Sequence, residues 1–210
     1  MNQLERADWL RRWSRKGLEA LRISVTSEGE IPTGGLIASN HLSYIDVLVL
    51  SSVAPCAFVS KSEVADWPLV GRLTRIAGTI YLKRESRKDA RRVNRLLENR
   101  LSTGQLVVVF PEGTSTDGAS VLTFRPSLFQ SAIDSAAKVI PTAISYSASN
   151  ADPATDVCYW GAMTFATHLW KLFGIDHIQA HIRFGKAGTY VNRKIAARES
   201  RQIVLRLACS

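Results

Sequence analysis

Two short polar segments of this 210-residue chain carry side chains that could transfer a proton. Residues 39–46 hold a histidine and an aspartate with four residues between them, and residues 110–114 hold a glutamate beside a glycine. A neutral imidazole takes a proton from an alcohol near neutral pH, since its unperturbed pKa is about 6.5. A carboxylate that accepts from the other ring nitrogen fixes the tautomer and the orientation of the ring. The spacing therefore indicates His41 as a general base and Asp46 as the residue that orients it.

The sequence near His41 contains no obvious serine or cysteine nucleophile motif, so we expect the substrate hydroxyl itself to attack. Ser43 is close enough to His41 in sequence that a lipid hydrolase with an acyl-serine intermediate stays open as an alternative. A purely structural alternative also exists. Ser43 and Asp46, three residues apart before an apolar run, fit a capping box that satisfies the amides at a helix start.

Short apolar runs that alternate with amphipathic segments must position these residues. The predicted strands lie at residues 35–39, 56–60, 78–83, 106–110, 138–145 and 179–184. The predicted helices lie near residues 44–53, 88–101 and 126–136. This alternation is typical of a single α/β domain with a mixed, largely parallel sheet covered by helices. His41 then lies at a strand-to-helix junction, where a fixed backbone lets side chains reach a cleft.

Four motifs in a fixed order make the chain resemble the glycerolipid acyltransferase family, which includes the 1-acylglycerol-3-phosphate acyltransferases. The first motif is Asn-His, four residues and Asp, at residues 40–46. The second is a glycine before an apolar stretch with a basic end, at residues 78–84. The third is Phe-Pro-Glu-Gly-Thr at residues 110–114, and the fourth is an apolar pair before proline at residues 139–141. The first and third motifs are specific in combination.

The resemblance implies transfer of an acyl group from an acyl thioester, of coenzyme A or acyl carrier protein, to the hydroxyl of a lysolipid. It implies that His41 acts as the general base and that Asp46 orients it, a task that contributes about 10²- to 10⁴-fold in rate. The substrate-binding residues that it implies, for the acceptor and its acidic headgroup, are Lys61, Arg84, Glu112, Gly113 and Thr114. It implies no metal and no other cofactor.

One residue departs from the family pattern, because Ser115 follows the third motif where the family usually places arginine. A planar guanidinium suits bidentate phosphate binding, and a hydroxyl does not. Lyso-ornithine lipid acyltransferases of the same family resemble this chain in that turn and in residues 159–170. On the breadth of the family, the first expectation for the acceptor is 1-acylglycerol-3-phosphate, which would give phosphatidic acid. Lyso-ornithine lipid is the second.

We expect residues 1–24 to form a membrane-associating helix and residues 25–210 to form the acyltransferase domain. In a helix at residues 4–22, one face carries Trp9, Leu10, Trp13, Gly17, Ala20 and Leu21. The arginines of the opposite face are Arg11, Arg12, Arg15 and Arg22. Such a helix suits the headgroup layer of a membrane, and the net charge of +9 suits an anionic one. A helix packed on the domain, with its tryptophans in the core, is the alternative.

The remaining features favour a peripheral or monotopic protein on the cytoplasmic face of the cell membrane. No uncharged apolar stretch approaches the roughly 20 residues that span a bilayer, and no signal-peptide core is visible. The three cysteines are too widely spaced for a disulfide framework. No nucleic-acid motif accompanies the basic charge. His177 and His181 would share one side of a strand, and we expect no metal site there. A non-catalytic membrane-binding protein, which would not need His41, is a further alternative.

Overall fold

The computed structural model of the chain describes residues 1–66, 70–83 and 87–209. Its strands are β1 (Ile23–Glu28), β2 (Gly35–Ser39), β3 (Ala57–Lys61), β4 (Ile80–Leu82), β5 (Leu106–Val109), β6 (Val139–Ala148) and β7 (Ile178–Phe184). Its α-helices are α1 (Gln3–Ala20), α2 (Ile45–Val53), α3 (Val70–Ile76), α4 (Arg87–Ser102), α5 (Gln130–Asp134), α6 (Phe165–Phe173) and α7 (Arg193–Ala208). Short helical turns lie at Ser62–Asp66, Pro126–Phe129 and Pro153–Val157.

The described strands form one sheet in the order β1-β7-β6-β2-β5-β3-β4. β6 and β7 are antiparallel, and the other neighbouring strands are parallel. The predicted α/β class with a mixed, largely parallel sheet is confirmed. Parallel strands end at the same edge of a sheet, so the segments that follow β2 and β5 meet there. These segments contain the first and third motifs.

Helices cover both faces of the sheet, because successive residues of the central strands point to opposite sides. On one face, Ile37 of β2 and Val108 of β5 pack with residues of α1, α2 and α6. On the other face, Leu36 and Val107 pack with residues of α4, α5 and α7. All five residues of β2 are buried, as expected for a strand covered on both sides. The sheet is therefore a rigid base for the segment that leaves β2.

The six predicted strands and three predicted helical regions all occur, within a few residues of the expected bounds. β1, α3, α6 and α7 were not predicted. β1 carried a weak signal, since Ile23 and Val25 alternate with hydroxyl residues. In α4, Val93, Leu97 and Leu101 are buried as the periodicity predicts. The predicted position of Ala90 on that face cannot be compared, because its side chain lies outside the described residues.

α1 begins with a capping box, in which Asn2 and Glu5 bond to each other's backbone amides. The helix packs on the domain through Ala7, Ser14 and Leu18, which are buried. Trp13 is 54% exposed, so the alternative that placed both tryptophans in the core is wrong for this residue. None of the described helices is both long and apolar enough to cross a membrane.

Candidate active site

His41 and Asp46 lie between β2 and the first turn of α2 and are joined by a hydrogen bond. The Nδ1 of His41 donates to the Oδ2 of Asp46 over 2.7 Å. The Asp46 side chain is fully buried, whereas the imidazole is 22% exposed. The spacing predicted this contact. It leaves the Nε2 of His41 as the ring nitrogen that can meet a substrate.

Asp46 accepts hydrogen bonds on both carboxylate oxygens. Its Oδ2 also accepts from the amides of Leu42, at 2.7 Å, and Ser43, at 3.0 Å. Its Oδ1 accepts from the phenol of Tyr146, in β6, over 2.6 Å. A buried carboxylate needs such donors to offset its lost hydration. The hydrogen bond from the Ser43 amide to Asp46 is half of the predicted capping box. The other half is not formed, since the Ser43 hydroxyl has no hydrogen-bond partner among the described residues.

Phe110, which directly follows β5, stacks on the imidazole of His41 and restricts the orientation of that ring. Its ring stacks on His41 with 4.1 Å between centroids and 14° between planes. Phe58 of β3 lies behind it, 6.3 Å from the Phe110 centroid. The third motif therefore contributes an aromatic ring directly to the base. The sequence indicated Phe110 only as part of a motif, with no role of its own.

Glu112 ties the first and third motifs together. Its Oε1 accepts from the amide of His41 over 2.8 Å, and its Oε2 accepts from the amide of Leu122 over 2.9 Å. Burial raises the pKa of this carboxyl, and the hydrogen bonds from the two amides oppose that rise. Glu112, expected to shape an acceptor site, therefore braces the backbone of the base with one oxygen and the backbone of Leu122 with the other.

Three further contacts fix the backbone around His41. The Asn40 amide group donates to the carbonyl oxygen of Ile144 in β6 over 2.9 Å and accepts from its amide over 2.8 Å. The amide of Thr116 donates to the carbonyl oxygen of His41 over 2.9 Å. The amide of Tyr159 donates to the carbonyl oxygen of Leu42 over 2.8 Å. The base thus lies on a loop anchored from three directions.

The third-motif turn places a guanidinium against its glycine. Gly113 has a φ of +79°, and a Cβ built on it would lie 2.8 Å from the Cζ of Arg125. A Cβ would displace only the end of the flexible Arg125 side chain, so glycine is required here for its conformation. Arg125 is exposed, and its guanidinium makes no ion pair or hydrogen bond within the described part of the chain. Ser115, at the usual arginine position, donates its hydroxyl to the carbonyl oxygen of Tyr159.

The other predicted substrate-binding residues are placed differently. Lys61 is exposed at the end of β3, which is parallel to β5 and so ends at the same sheet edge as the motifs. Thr114 is exposed in the third-motif turn. Arg84 lies outside the described residues. The structure thus brings Asp46 and Glu112 into contact with His41 and leaves Lys61 and Thr114 exposed at the surface.

An aromatic cluster flanks the first motif. The Tyr44 hydroxyl donates to the Nδ1 of His168, in α6, over 3.1 Å, while the Nε2 of that ring donates to the carbonyl oxygen of Cys158. Burial lowers the pKa of His168, which favours this neutral tautomer. Tyr159 and Phe165 pack on the Tyr44 ring. This cluster was not predicted.

His177 and His181 lie at β7, which β6 separates from β2 in the sheet. They face one side, as the strand alternative predicted, and hydrogen-bond with Ser24 and Thr26 of the neighbouring β1. No group of three or more His, Cys, Asp or Glu side chains that could hold a metal ion occurs in residues 1–66, 70–83 and 87–209.

Comparison with known proteins gives one family and one fold. The acyltransferase family model matches residues 22–145. The 1-acyl-sn-glycerol-3-phosphate acyltransferase of Neisseria meningitidis is 39% identical over 74% of this chain and 60% of that protein. The lyso-ornithine lipid O-acyltransferase of Rhizobium meliloti is 33% identical over 90% of this chain and 71% of that protein.

The solved structure of the 1-acyl-sn-glycerophosphate (LPA) acyltransferase from Thermotoga maritima superposes with a TM-score of 0.72. The superposition covers 96% of this chain and 78% of the Thermotoga maritima chain, at 18% sequence identity. The two proteins therefore share a common fold. The chain spans about 60% of the length of the two Neisseria relatives that it matches.

Proposed function

Because the chain belongs to the acyltransferase family, we propose that it transfers a fatty acyl group from an acyl thioester to the free hydroxyl of a lysolipid. The observation that carries this proposal is the hydrogen bond from His41 to the buried Asp46, whose two oxygens both accept hydrogen bonds. The other ring nitrogen of His41 is left for the substrate. The names of the relatives support a lysolipid acceptor. The donor is an acyl thioester of coenzyme A or acyl carrier protein, and the mechanism requires no further cofactor.

In the proposed mechanism, the Nε2 of His41 takes the proton of the acceptor hydroxyl as that oxygen attacks the thioester carbonyl carbon. Asp46 keeps the proton on Nδ1 and stabilises the imidazolium that forms. The tetrahedral intermediate then collapses, so that the carbon–sulfur bond breaks and the thiolate leaves. The proton held on Nε2 passes to that thiolate. The products are an ester and a free thiol, and the base returns to its neutral state.

We assign the acidic headgroup of the acceptor to three cations, one of which lies at the third-motif turn. Lys61 and Arg84 are the residues that the motif pattern implies. Arg125 is a third, because its guanidinium packs on Gly113 beside the residue that braces the base. Phosphate monoesters and carboxylates both bind such a group. Thr114 and Gly113 then line the same end of the acceptor site.

The first acceptor that we propose is 1-acylglycerol-3-phosphate, with phosphatidic acid as the product. Lyso-ornithine lipid is the second, and one observation favours it: Ser115, which stands where arginine is usual, is engaged with the backbone of Tyr159. The same base and orienting carboxylate would serve either acceptor, because both present a hydroxyl to acylate.

We assign residues 1–24 to contact with an anionic membrane surface and residues 25–210 to the catalytic domain. Trp13, Arg12 and Lys16 are exposed on α1, and aromatic and basic residues together suit the headgroup layer. A peripheral or monotopic location on the cytoplasmic face would bring the active site to its lipid acceptor.

Acyl transfer from labelled palmitoyl-coenzyme A and palmitoyl-acyl carrier protein tests the proposal. Each donor is offered with lysophosphatidate or lyso-ornithine lipid on liposomes. Wild type should form product with one acceptor, and His41→Ala should lose about 10²- to 10⁴-fold of that rate. His177→Ala, at a histidine that hydrogen-bonds with Ser24 of β1, should keep it. Folded wild type that is inactive on every combination would overturn the proposal and favour a non-catalytic membrane-binding protein.

A further inference from the structure

A surface groove of about 400 Å³ lies between α1, β1 and the carboxyl end of α2. Its apolar lining comprises Leu18, Ile23, Val25, Ile31 and Val53. Its polar lining comprises Arg11, Arg15 and Ser52. His41 precedes the other end of α2, and the nine residues of that helix are about 13 Å long. The groove is therefore separate from the proposed catalytic site.

Two guanidinium groups converge on one backbone oxygen in this groove. The Nε atoms of Arg15 and Arg11 donate to the carbonyl oxygen of Ser52, over 3.0 Å and 3.5 Å. Ser52 lies in the last turn of α2, where the helix dipole is negative. The terminal nitrogens of both guanidinium groups make no ion pair or hydrogen bond to the described residues. Two positive charges thus lie close together with their terminal donors unused.

An apolar wall adjoins these charges. Ile31 is 46% exposed although it lines the groove, and Val25 and Val53 are half-buried. A free phosphate ion would use the two guanidinium groups and gain nothing from this wall. A phospholipid would use both, because its phosphate pairs with guanidinium and its acyl chain covers exposed apolar surface. The volume of the groove lies in the range of small-molecule sites.

We propose that this groove binds one anionic phospholipid of the membrane, with its phosphate on Arg11 and Arg15 and part of an acyl chain against Ile31, Val25 and Val53. This inference rests on the membrane contact proposed for α1 and not on acyl transfer. A lipid in this position would hold α1 on the bilayer and fix which side of the domain faces the membrane. It would also give these two arginines a role beyond their hydrogen bonds to the carbonyl oxygen of Ser52.

Co-sedimentation of the full chain with phosphatidylcholine vesicles, with and without phosphatidylglycerol, tests the site. The variant Arg11→Gln/Arg15→Gln removes the groove charges, and Arg12→Gln/Lys16→Gln removes two exposed charges from the same helix. Simple surface attraction predicts an equal loss for both, about 30-fold in affinity. We expect the groove variant to lose at least tenfold more than the outer variant in phosphatidylglycerol vesicles. Equal losses would overturn the proposal.

Ile31→Ser provides a second variant, because it leaves every charge in place and alters a half-exposed side chain that folding does not require to be buried. We expect weaker binding to phosphatidylglycerol vesicles and an unchanged melting temperature. Unchanged binding would overturn the lipid assignment, as would release of the protein from vesicles by inorganic phosphate. All these measurements are repeated in the His41→Ala background. A failure of acyl transfer therefore stays distinguishable from a failure of lipid binding.

Discussion

Tyr146 donates its phenol hydrogen to the Oδ1 of Asp46 over 2.6 Å, from a strand 100 residues further along the chain. The other oxygen of Asp46 accepts from His41 and two amides, so Tyr146 completes the set of donors that fixes the carboxylate. Burial and the negative Asp46 raise the pKa of Tyr146 well above its ordinary value, which keeps the phenol protonated as a donor. Tyr146 is thus a positioning residue that acts on the base through Asp46.

Tyr146→Phe should lower kcat about tenfold and leave KM for the lysolipid nearly unchanged, because the variant loosens the carboxylate without touching the acceptor. The free energy of unfolding should fall by about 1.5–3 kcal/mol, the cost of losing a hydrogen bond to a charged group. Steady-state kinetics and urea unfolding measure the two effects. Tyr190→Phe, on the other face of the sheet, serves as the control. A change confined to KM would contradict the role.

Glu112→Gln should destabilise the protein by about 1–3 kcal/mol, since the side-chain NH₂ cannot accept from one of the two amides that Glu112 now satisfies. The rate of transfer should fall as well, because one of those amides belongs to His41. Urea unfolding and kcat are the measurements. Glu30→Gln, at an exposed glutamate, should change neither. A stable but inactive Glu112→Gln variant would instead indicate that this carboxyl contacts the substrate.

Arg125→Gln should raise KM for an acidic lysolipid about tenfold and leave kcat nearly unchanged, because the proposed contact is to the headgroup and not to the reacting atoms. The larger effect with lysophosphatidate or with lyso-ornithine lipid identifies the anion that the guanidinium binds. Arg198→Gln, at an exposed arginine of α7, is the matched control. Equal kinetics for Arg125→Gln and Arg198→Gln would remove Arg125 from the acceptor site.

The stability of the protein should fall as the pH drops below about 6.5, the ordinary pKa of histidine, in part because of His168. Burial lowers the pKa of His168 in the folded state, so as the pH falls this imidazole is protonated in the unfolded chain before it is protonated in the folded one. Protonation therefore stabilises the unfolded state relative to the folded state. Urea unfolding at pH 8 and pH 5 measures the loss. His168→Gln should show a smaller decrease than wild type between these values, and His177→Gln should not. An identical decrease in His168→Gln and wild type would refute this contribution.

Trp9→Ala/Trp13→Ala should abolish flotation of the protein with anionic liposomes. The two rings lie 6.1 Å apart on α1, and Lys16 lies 4.9 Å from the Trp13 ring. Aromatic side chains beside basic ones favour the headgroup layer. Trp170→Ala removes a tryptophan that is 80% exposed on α6 and controls for the loss of an exposed ring. Loss of flotation in the α6 variant alone would transfer the membrane contact from α1 to that helix.

The sequence alone determined six of the seven described strands, four of the seven described α-helices and the pairing of His41 with Asp46. These features are local, because hydrophobic periodicity reports the burial of one element and five residues of spacing bring the two side chains together. The order of the motifs likewise predicted one site, since segments that follow parallel strands meet at one sheet edge.

Only the tertiary structure revealed that Tyr146 holds Asp46, that Glu112 braces His41, that Arg125 covers Gly113 and that two arginines of α1 turn toward Ser52. Each pair joins groups whose separation in sequence carries no periodic signal. Whether these groups come into contact depends on the order of the strands and on the angles at which the helices pack. Many residues together determine both.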